Sequence, residues 1–272
     1  MGSGIAATFA CSEFFQEVIV WGRNGDSLTK AYSQIEKQIN RFAKKEQLDA
    51  EQRDIISKKL KVTTSLNDLA DSSIYIEAIS EIKEDKVKVF TALRNIISSE
   101  AIVGTNTSSL SITELALCTD FPSNFIGLHF FNPTSVMQLV EVIKGVATSD
   151  ETLKKSLSIV KLLKKEAVIV NESPGFIVNR MLIPMINEAI AIFSEQVASV
   201  EDIDKAMMLG ANHPIGPLAL ADLIGNDVCL SIMETLHFET GDPKYRAHAM
   251  LRKYVRAGML GRKTKSGFYN YK

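Results

Sequence analysis

Short runs of β-branched and aliphatic residues, separated by longer amphipathic stretches, set the pattern of the first part of the chain. Val18 to Trp21, Ile74 to Ala78, Ala101 to Thr105, Phe125 to His129, Leu139 to Val142 and Ala167 to Val170 read as strands. Several are apolar at nearly every position, as expected where helices cover both faces of a sheet. Between them Asp26 to Lys45, Glu84 to Ile97, Ser111 to Cys118 and Asp150 to Leu163 carry helical periodicity. Asp150 and Glu151 suit a helix start, where the dipole favours acids. This alternation predicts a wound α/β domain over residues 1–172, with an antiparallel extension after Phe130.

The pattern changes at Ser173-Pro174-Gly175. Beyond it strands vanish, and helices are predicted over Phe176 to Ser194, Ser199 to Leu209, Pro217 to His237 and Tyr245 to Ala257. Ser199 followed by Glu201 and Asp202 reads as a cap with acids in the first turn. Residues 173–272 are therefore expected to form an all-helical domain, apolar enough to need a packing partner. The tail from Gly258 to Tyr271 reads as a loop ending in a short extended hook.

The first residues, Met1-Gly2-Ser3-Gly4-Ile5-Ala6-Ala7, resemble the second half of a dinucleotide fingerprint, with Gly2 at the turn that meets a pyrophosphate. A complete fingerprint begins with a strand and a glycine turn, and no room exists for that strand before Gly2. The expected fold is thus a Rossmann-like domain followed by a helical one.

Composition narrows the function classes. The chain has 272 residues, 46% apolar and 23% charged, with a net charge of -1. That balance offers no general attraction for nucleic acid or an anionic membrane. No apolar run approaches the length of a membrane span. Three cysteines without paired or metal-like spacing suit a reducing, cytoplasmic setting.

Candidate chemistry concentrates at strand ends. His129 closes a strand and precedes Phe130-Phe131-Asn132-Pro133; it is either a core histidine or one exposed by the Pro133 break where ligands enter such sheets. Glu141 is the one acid in Leu139-Val140-Glu141-Val142-Ile143. It reads as half of a buried salt bridge or as the carboxylate that orients His129 in an acid/base dyad. Asn106-Thr107-Ser108-Ser109 is either a helix cap or a polar loop in which Ser108 meets substrate and Asn106 a cofactor. Asn179, on an apolar helix, needs partners for its amide. Arg41, Lys44 and Lys45 form either a solvated face or a contact for a phosphate-rich substrate handle.

Five stretches in order carry a resemblance: Asn106-Thr107-Ser108-Ser109-Leu110, Gly127-Leu128-His129-Phe130-Phe131-Asn132-Pro133, Leu139 to Ile143, Glu172-Ser173-Pro174-Gly175-Phe176-Ile177-Val178-Asn179-Arg180, and Asn212-His213-Pro214-Ile215-Gly216-Pro217-Leu218. Gly261-Arg262-Lys263 and Gly267-Phe268-Tyr269 follow in the tail. With these motifs the chain resembles the short-chain 3-hydroxyacyl-CoA dehydrogenases, in particular the bacterial branch acting on 3-hydroxybutyryl-CoA in butyrate fermentation or fatty-acid metabolism. The resemblance implies hydride exchange between a nicotinamide cofactor and a coenzyme A thioester. It implies His129 as catalytic base with Glu141 as its partner, and Ser108 and Asn179 as substrate-orienting groups. Glu81, Lys86, Asn106 and Asn132 fall where the family meets the cofactor, and the helix bearing Arg41, Lys44 and Lys45 where it meets coenzyme A phosphates. It also implies a homodimer built on the helical domain. The other readings are an impaired dehydrogenase scaffold with a binding or structural role, and a dehydrogenase of non-CoA 3-hydroxyacids.

The chain departs from the family twice. NAD-preferring members place an acid after the second strand, but here Gly22 stands there with Arg23 beside it. Without a carboxylate to repel a 2′-phosphate, and with a guanidinium to pair with it, NADP is expected over NAD. Relative to the family, the sequence is also expected to be about ten residues short at its start. Weak cofactor binding and poor stability are the expected consequences.

Overall fold

Alternation becomes architecture in the computed structural model, which describes residues Met1–Lys272. The chain divides into two units, Met1–Glu172 and Ser173–Lys272. The first runs α1 (Gly2–Ala10), β1 (Val18–Trp21), α2 (Gly25–Lys45), α3 (Ala50–Lys58), β2 (Leu60–Thr63), β3 (Ile74–Glu77), α4 (Lys83–Leu93), β4 (Ile102–Thr105), α5 (Ile112–Ala116), β5 (Phe125–Phe130), β6 (Leu139–Lys144), α6 (Asp150–Leu162) and β7 (Glu166–Asn171). The second is helical: α7 (Val178–Ser194), α8 (Val200–Gly210), α9 (Pro217–Ile224), α10 (Asn226–Thr240) and α11 (Ala249–Arg256).

The first unit holds two sheets. In one, β1 pairs with β2 in parallel. In the other the order is β3-β4-β5-β6-β7, with β3, β4 and β5 mutually parallel and β6 antiparallel to β5. Every residue of β4 and β5 is buried, which is why these strands read as unbroken apolar runs. Helix α1 joins the two sheets through different sides. Ile5 and Phe9 pack with Ile126, Leu128 and Ile76 on the five-stranded side, whereas Ala7 and Ala10 pack with Ile35, Ile39 and Val20 on the other. The small residues near the start of α1 also permit close approach. A Cβ on Gly4 would lie 2.4 Å from Thr134 Oγ1.

The second unit packs α7 to α11 around Ile183, Ile186, Ile190, Leu218, Met233 and Leu236. Two buried acids organise it. Asp204 on α8 accepts from the Leu218 and Ala219 amides at 2.7 and 2.9 Å, capping α9 from another helix because its own N-cap, Gly216, has no side chain. Asp222 on α9 accepts from the Phe268 and Tyr269 amides at 3.0 and 2.8 Å and from the Tyr271 hydroxyl at 3.0 Å. It thereby docks the tail. A Cβ on Gly267 would fall 1.9 Å from Asp222 Oδ1, so this approach needs glycine.

Several predicted boundaries change. The helix expected from Pro217 to His237 is two, because Gly225 at φ 107° breaks it while the apolar pattern runs on. The helix expected from Phe176 begins at Val178, Phe176 itself lying at φ 53°; that expected from Tyr245 begins at Ala249. Helix α3 and strand β2 escaped the sequence reading. Only Ile56 of α3 is buried, so its periodicity is faint, although Asp49 and Gln52 form a complete capping box.

Candidate active site

The hydrogen-bonding register of β5 and β6 sets His129 directly opposite Glu141. His129 Nδ1 lies 2.7 Å from Glu141 Oε2, and the two residues are 6% and 0% exposed. An ionised carboxylate only accepts, so opposite it Nδ1 carries a proton, and Nε2 is the ring nitrogen turned away from Glu141. Phe131 packs on the imidazole with ring centroids 4.5 Å apart. The expectation that the Pro133 break exposes His129 is corrected: the ring is buried, walled by Phe131 and Glu141, which fixes its orientation.

A second polar group lies at the ends of β3 and β4. Glu81 Oε1 accepts from the Thr107 hydroxyl at 2.5 Å, from the Ser108 amide and hydroxyl at 2.7 and 3.1 Å, and from the Ser109 amide at 3.1 Å. One carboxylate therefore shapes the loop after β4 that presents Ser108. The Asn106–Ser109 segment is no cap for α5, because Ser111 performs that role through the Glu114 amide. Asn106 instead accepts from the Phe130 amide at 2.8 Å, tying the end of β4 to the end of β5.

Beneath this loop Lys86 is fully buried, its ammonium 2.7 and 2.9 Å from the Glu77 oxygens and 3.3 Å from Glu81 Oε2. Thr105 adds a hydroxyl to Glu77 at 2.6 Å. Burial pushes the Glu81 carboxyl up, but the Lys86 charge and the Thr107 and Ser108 hydrogen bonds outweigh it and hold the group below its ordinary range. Lys86 thus holds Glu81 from below. Glu77 and Thr105 went unnoticed in the sequence, although a lone acid ending an apolar strand is the same signal that marked Glu141.

The remaining candidates are spread out. Gly2 opens α1, and Gly22 and Arg23 follow β1. A Cβ on Gly22 would lie 2.9 Å from Leu28, so an acid there would require that side chain to move. Arg23 is paired with Asp85 at 3.1 Å and remains largely exposed. Asn132 is exposed after β5. Arg41, Lys44 and Lys45 are exposed near the end of α2, where cations also favour the helix dipole. Asn179 is buried in the first turn of α7, in the second unit.

The arrangement accommodates a nicotinamide dinucleotide on structural grounds. The carboxyl ends of β1, β3 and β4 carry Gly22, Glu81 and Asn106, and the first amides of α1 have no preceding turn to bond. A Cβ on Gly2 would meet nothing nearer than 3.6 Å, leaving its backbone approachable. A histidine held by a buried carboxylate supplies a proton acceptor on the same domain.

Known proteins resemble this chain along its whole length. Residues 1–173 match the family description "3-hydroxyacyl-CoA dehydrogenase, NAD binding domain", and residues 175–271 match "3-hydroxyacyl-CoA dehydrogenase, C-terminal domain". The chain is 49% identical to a 3-hydroxybutyryl-CoA dehydrogenase of Clostridioides difficile, covering 100% of this chain and 96% of the relative. It is 46% identical to one of Bradyrhizobium diazoefficiens, covering 100% and 92%. The crystal structure of an (S)-3-hydroxybutyryl-CoA dehydrogenase from Ralstonia eutropha superposes with a TM-score of 0.94 at 44% identity, covering 100% of this chain and 95% of that one. With both domain descriptions matched and relatives similar along its full length, the chain belongs to the 3-hydroxyacyl-CoA dehydrogenase family.

Proposed function

We propose that this chain interconverts 3-hydroxybutyryl-CoA and acetoacetyl-CoA. The carrying observation is the His129–Glu141 pair on opposed strands, 2.7 Å apart and buried. His129 Nε2 accepts the proton of the substrate 3-hydroxyl, and Glu141 stabilises the imidazolium that results. In the reductive direction the imidazolium returns that proton to the carbonyl oxygen. A nicotinamide cofactor, when bound, supplies the hydride acceptor or donor. Ser108, positioned through Glu81, orients the thioester, so part of the rate comes from alignment.

Gly2, Gly22, Arg23, Glu81, Asn106 and Asn132 are the residues assigned to hold the cofactor, with Lys86 acting through Glu81. NADP is favoured over NAD because the residue following β1 is Gly22 rather than an acid and the neighbouring guanidinium is solvent-accessible. Arg41, Lys44 and Lys45 are assigned to the phosphates of coenzyme A. Met181, Leu209 and Phe238, at 73%, 78% and 85% exposure, support docking of a second copy through the helical unit. No helix is long and apolar enough to cross a membrane. Three free cysteines suit a reducing, cytoplasmic setting.

Initial rates of acetoacetyl-CoA reduction, measured with NADPH and NADH at equal low concentration, test both levels. Turnover with a preference for NADPH is expected. A preference for NADH overturns the cofactor reading alone, whereas turnover of free acetoacetate matching that of its thioester overturns the substrate reading.

A further inference from the structure

The loop from Phe131 to Gln138, between β5 and β6, carries two residues of the site at its start. Phe131 packs on the His129 ring, and Asn132 follows it, exposed. Beyond them the loop has little core of its own. Thr134 is its one buried residue, at 3% exposure, whereas Val136 and Met137 are 65% and 40% exposed. A segment with so little apolar burial opens readily unless polar contacts hold it.

Lys165, just before β7, supplies those contacts. Its ammonium donates to the Thr134 carbonyl at 2.6 Å and to the Met137 carbonyl at 2.8 Å, gripping the loop on both sides of its turn. Within the turn the Val136 and Met137 amides donate to the Pro133 carbonyl at 3.0 and 2.9 Å. The lysine backbone is itself anchored: its amide donates to Val160 of α6 at 3.2 Å, and the Glu166 amide donates to Gln138 at 2.9 Å. Burial pushes the Lys165 ammonium below its ordinary range, and no carboxylate opposes that shift. The cation therefore relies on two neutral carbonyls, through hydrogen bonds that its charge strengthens. The grip also has a direction. Thr134 lies against α1, since a Cβ on Gly4 would fall 2.4 Å from Thr134 Oγ1 and 3.2 Å from its Cγ2. That hydroxyl has no hydrogen-bond partner, so contact with Gly4 and the hold on its carbonyl seat Thr134.

We propose that Lys165 is a positioning residue for the cofactor: by clasping the Thr134 and Met137 carbonyls it fixes Asn132 relative to α1 and Gly2. A nicotinamide dinucleotide then meets both residues without first ordering the loop, and that ordering is a cost that weakens binding wherever it must be met. This role rests on the assignment of Asn132 to the cofactor. It concerns binding and not proton transfer, because the register of β5 and β6 sets the His129–Glu141 pair independently of the loop.

The test compares Lys165→Met, Lys165→Arg, Asn132→Ala and the Lys165→Met/Asn132→Ala double variant with the unaltered protein. Cofactor affinity is read by fluorescence titration with NADPH and NADH, beside kcat and the acetoacetyl-CoA KM at saturating cofactor, and the thermal midpoint. Lys165→Met should bind cofactor about tenfold more weakly, with kcat and the thioester KM within about twofold and a cooperative melt. Lys165→Arg, which keeps charged N–H donors, should recover most of that affinity. Asn132→Ala should also weaken binding, and the double variant should lose no more than the weaker single one, because both changes remove the same contact. Lys165→Gln, shorter and uncharged, is read in the same way if Lys165→Met fails to fold. Unchanged affinity in Lys165→Met beside a loss in Asn132→Ala overturns the role of Lys165 and leaves the cofactor assignment standing. Additive losses in the double variant, an arginine variant as weak as the methionine one, or a fall in kcat equal to the loss of affinity also overturn it. Unchanged affinity in Asn132→Ala overturns the assignment of Asn132, on which the role depends.

Discussion

Both units bury carboxylates, and they use them for opposite ends. In the first, Glu141 faces a histidine and Glu77 a lysine, each carboxylate meeting a titratable partner across the sheet or from a helix. In the second, Asp204 and Asp222 face backbone amides and tyrosine hydroxyls, without a cation among these contacts. An acid satisfied by amides holds chain segments in place. An acid opposite a base sets the state of a proton. Burial alone does not separate the two uses; the chemistry of the partner does.

The comparison can be broken most severely at Lys86. Lys86→Met leaves Glu77 buried without its counter-charge and should cost about 3–5 kcal/mol in urea unfolding. Adding Glu77→Gln should restore much of that loss, and a double variant no better than the single one would refute the pairing. His129→Ala comes next. Turnover should fall about 10²–10³-fold with cofactor affinity within about twofold, since only proton transfer is removed. Equal losses in both would move His129 from chemistry to structure.

Asp222→Asn should act on stability and not on the proton. Asparagine keeps one acceptor oxygen and sets an NH2 against the other of the Phe268 and Tyr269 amides, which should cost about 1–3 kcal/mol and make the tail from Gly258 more susceptible to protease, with an unchanged pH–rate profile. A shifted profile would erase the distinction between the units. The smallest effect is expected from Glu81. Its carboxyl is held below the ordinary 4.5, so its contribution is complete above that value and is lost as pH falls through the depressed one. Protection of the Ser108 and Ser109 amides, relative to their intrinsic exchange, should be lost as pH falls through that depressed value, well before β5 and β6 open. Exchange that accelerates equally in both places would show that Glu81 does not govern the loop locally.

Much of the site was legible because its residues sit inside local patterns. Glu141 stood out as one acid in an apolar strand, and Asn106 and Ser108 as a polar loop after another. Lys86 did not, since a lysine on an amphipathic helix carries the same periodic signature whether solvated or buried. The break at Gly225 was hidden for a related reason: α9 and α10 bury successive apolar faces, so periodicity runs across the turn.

By itself the sequence determined most of the strands and helices in their order, the change of grammar at Ser173 and the family, and it put forward His129 and Glu141 as candidates for handling the proton. Each of these rests on neighbours along the chain. Tertiary structure decided what depends on distant segments meeting. It set the register that opposes His129 to Glu141, the burial of Lys86 between two acids and the docking of the tail on Asp222. Hydrogen-bond register and ion-pair burial are properties of pairs far apart in sequence, and no local pattern records them.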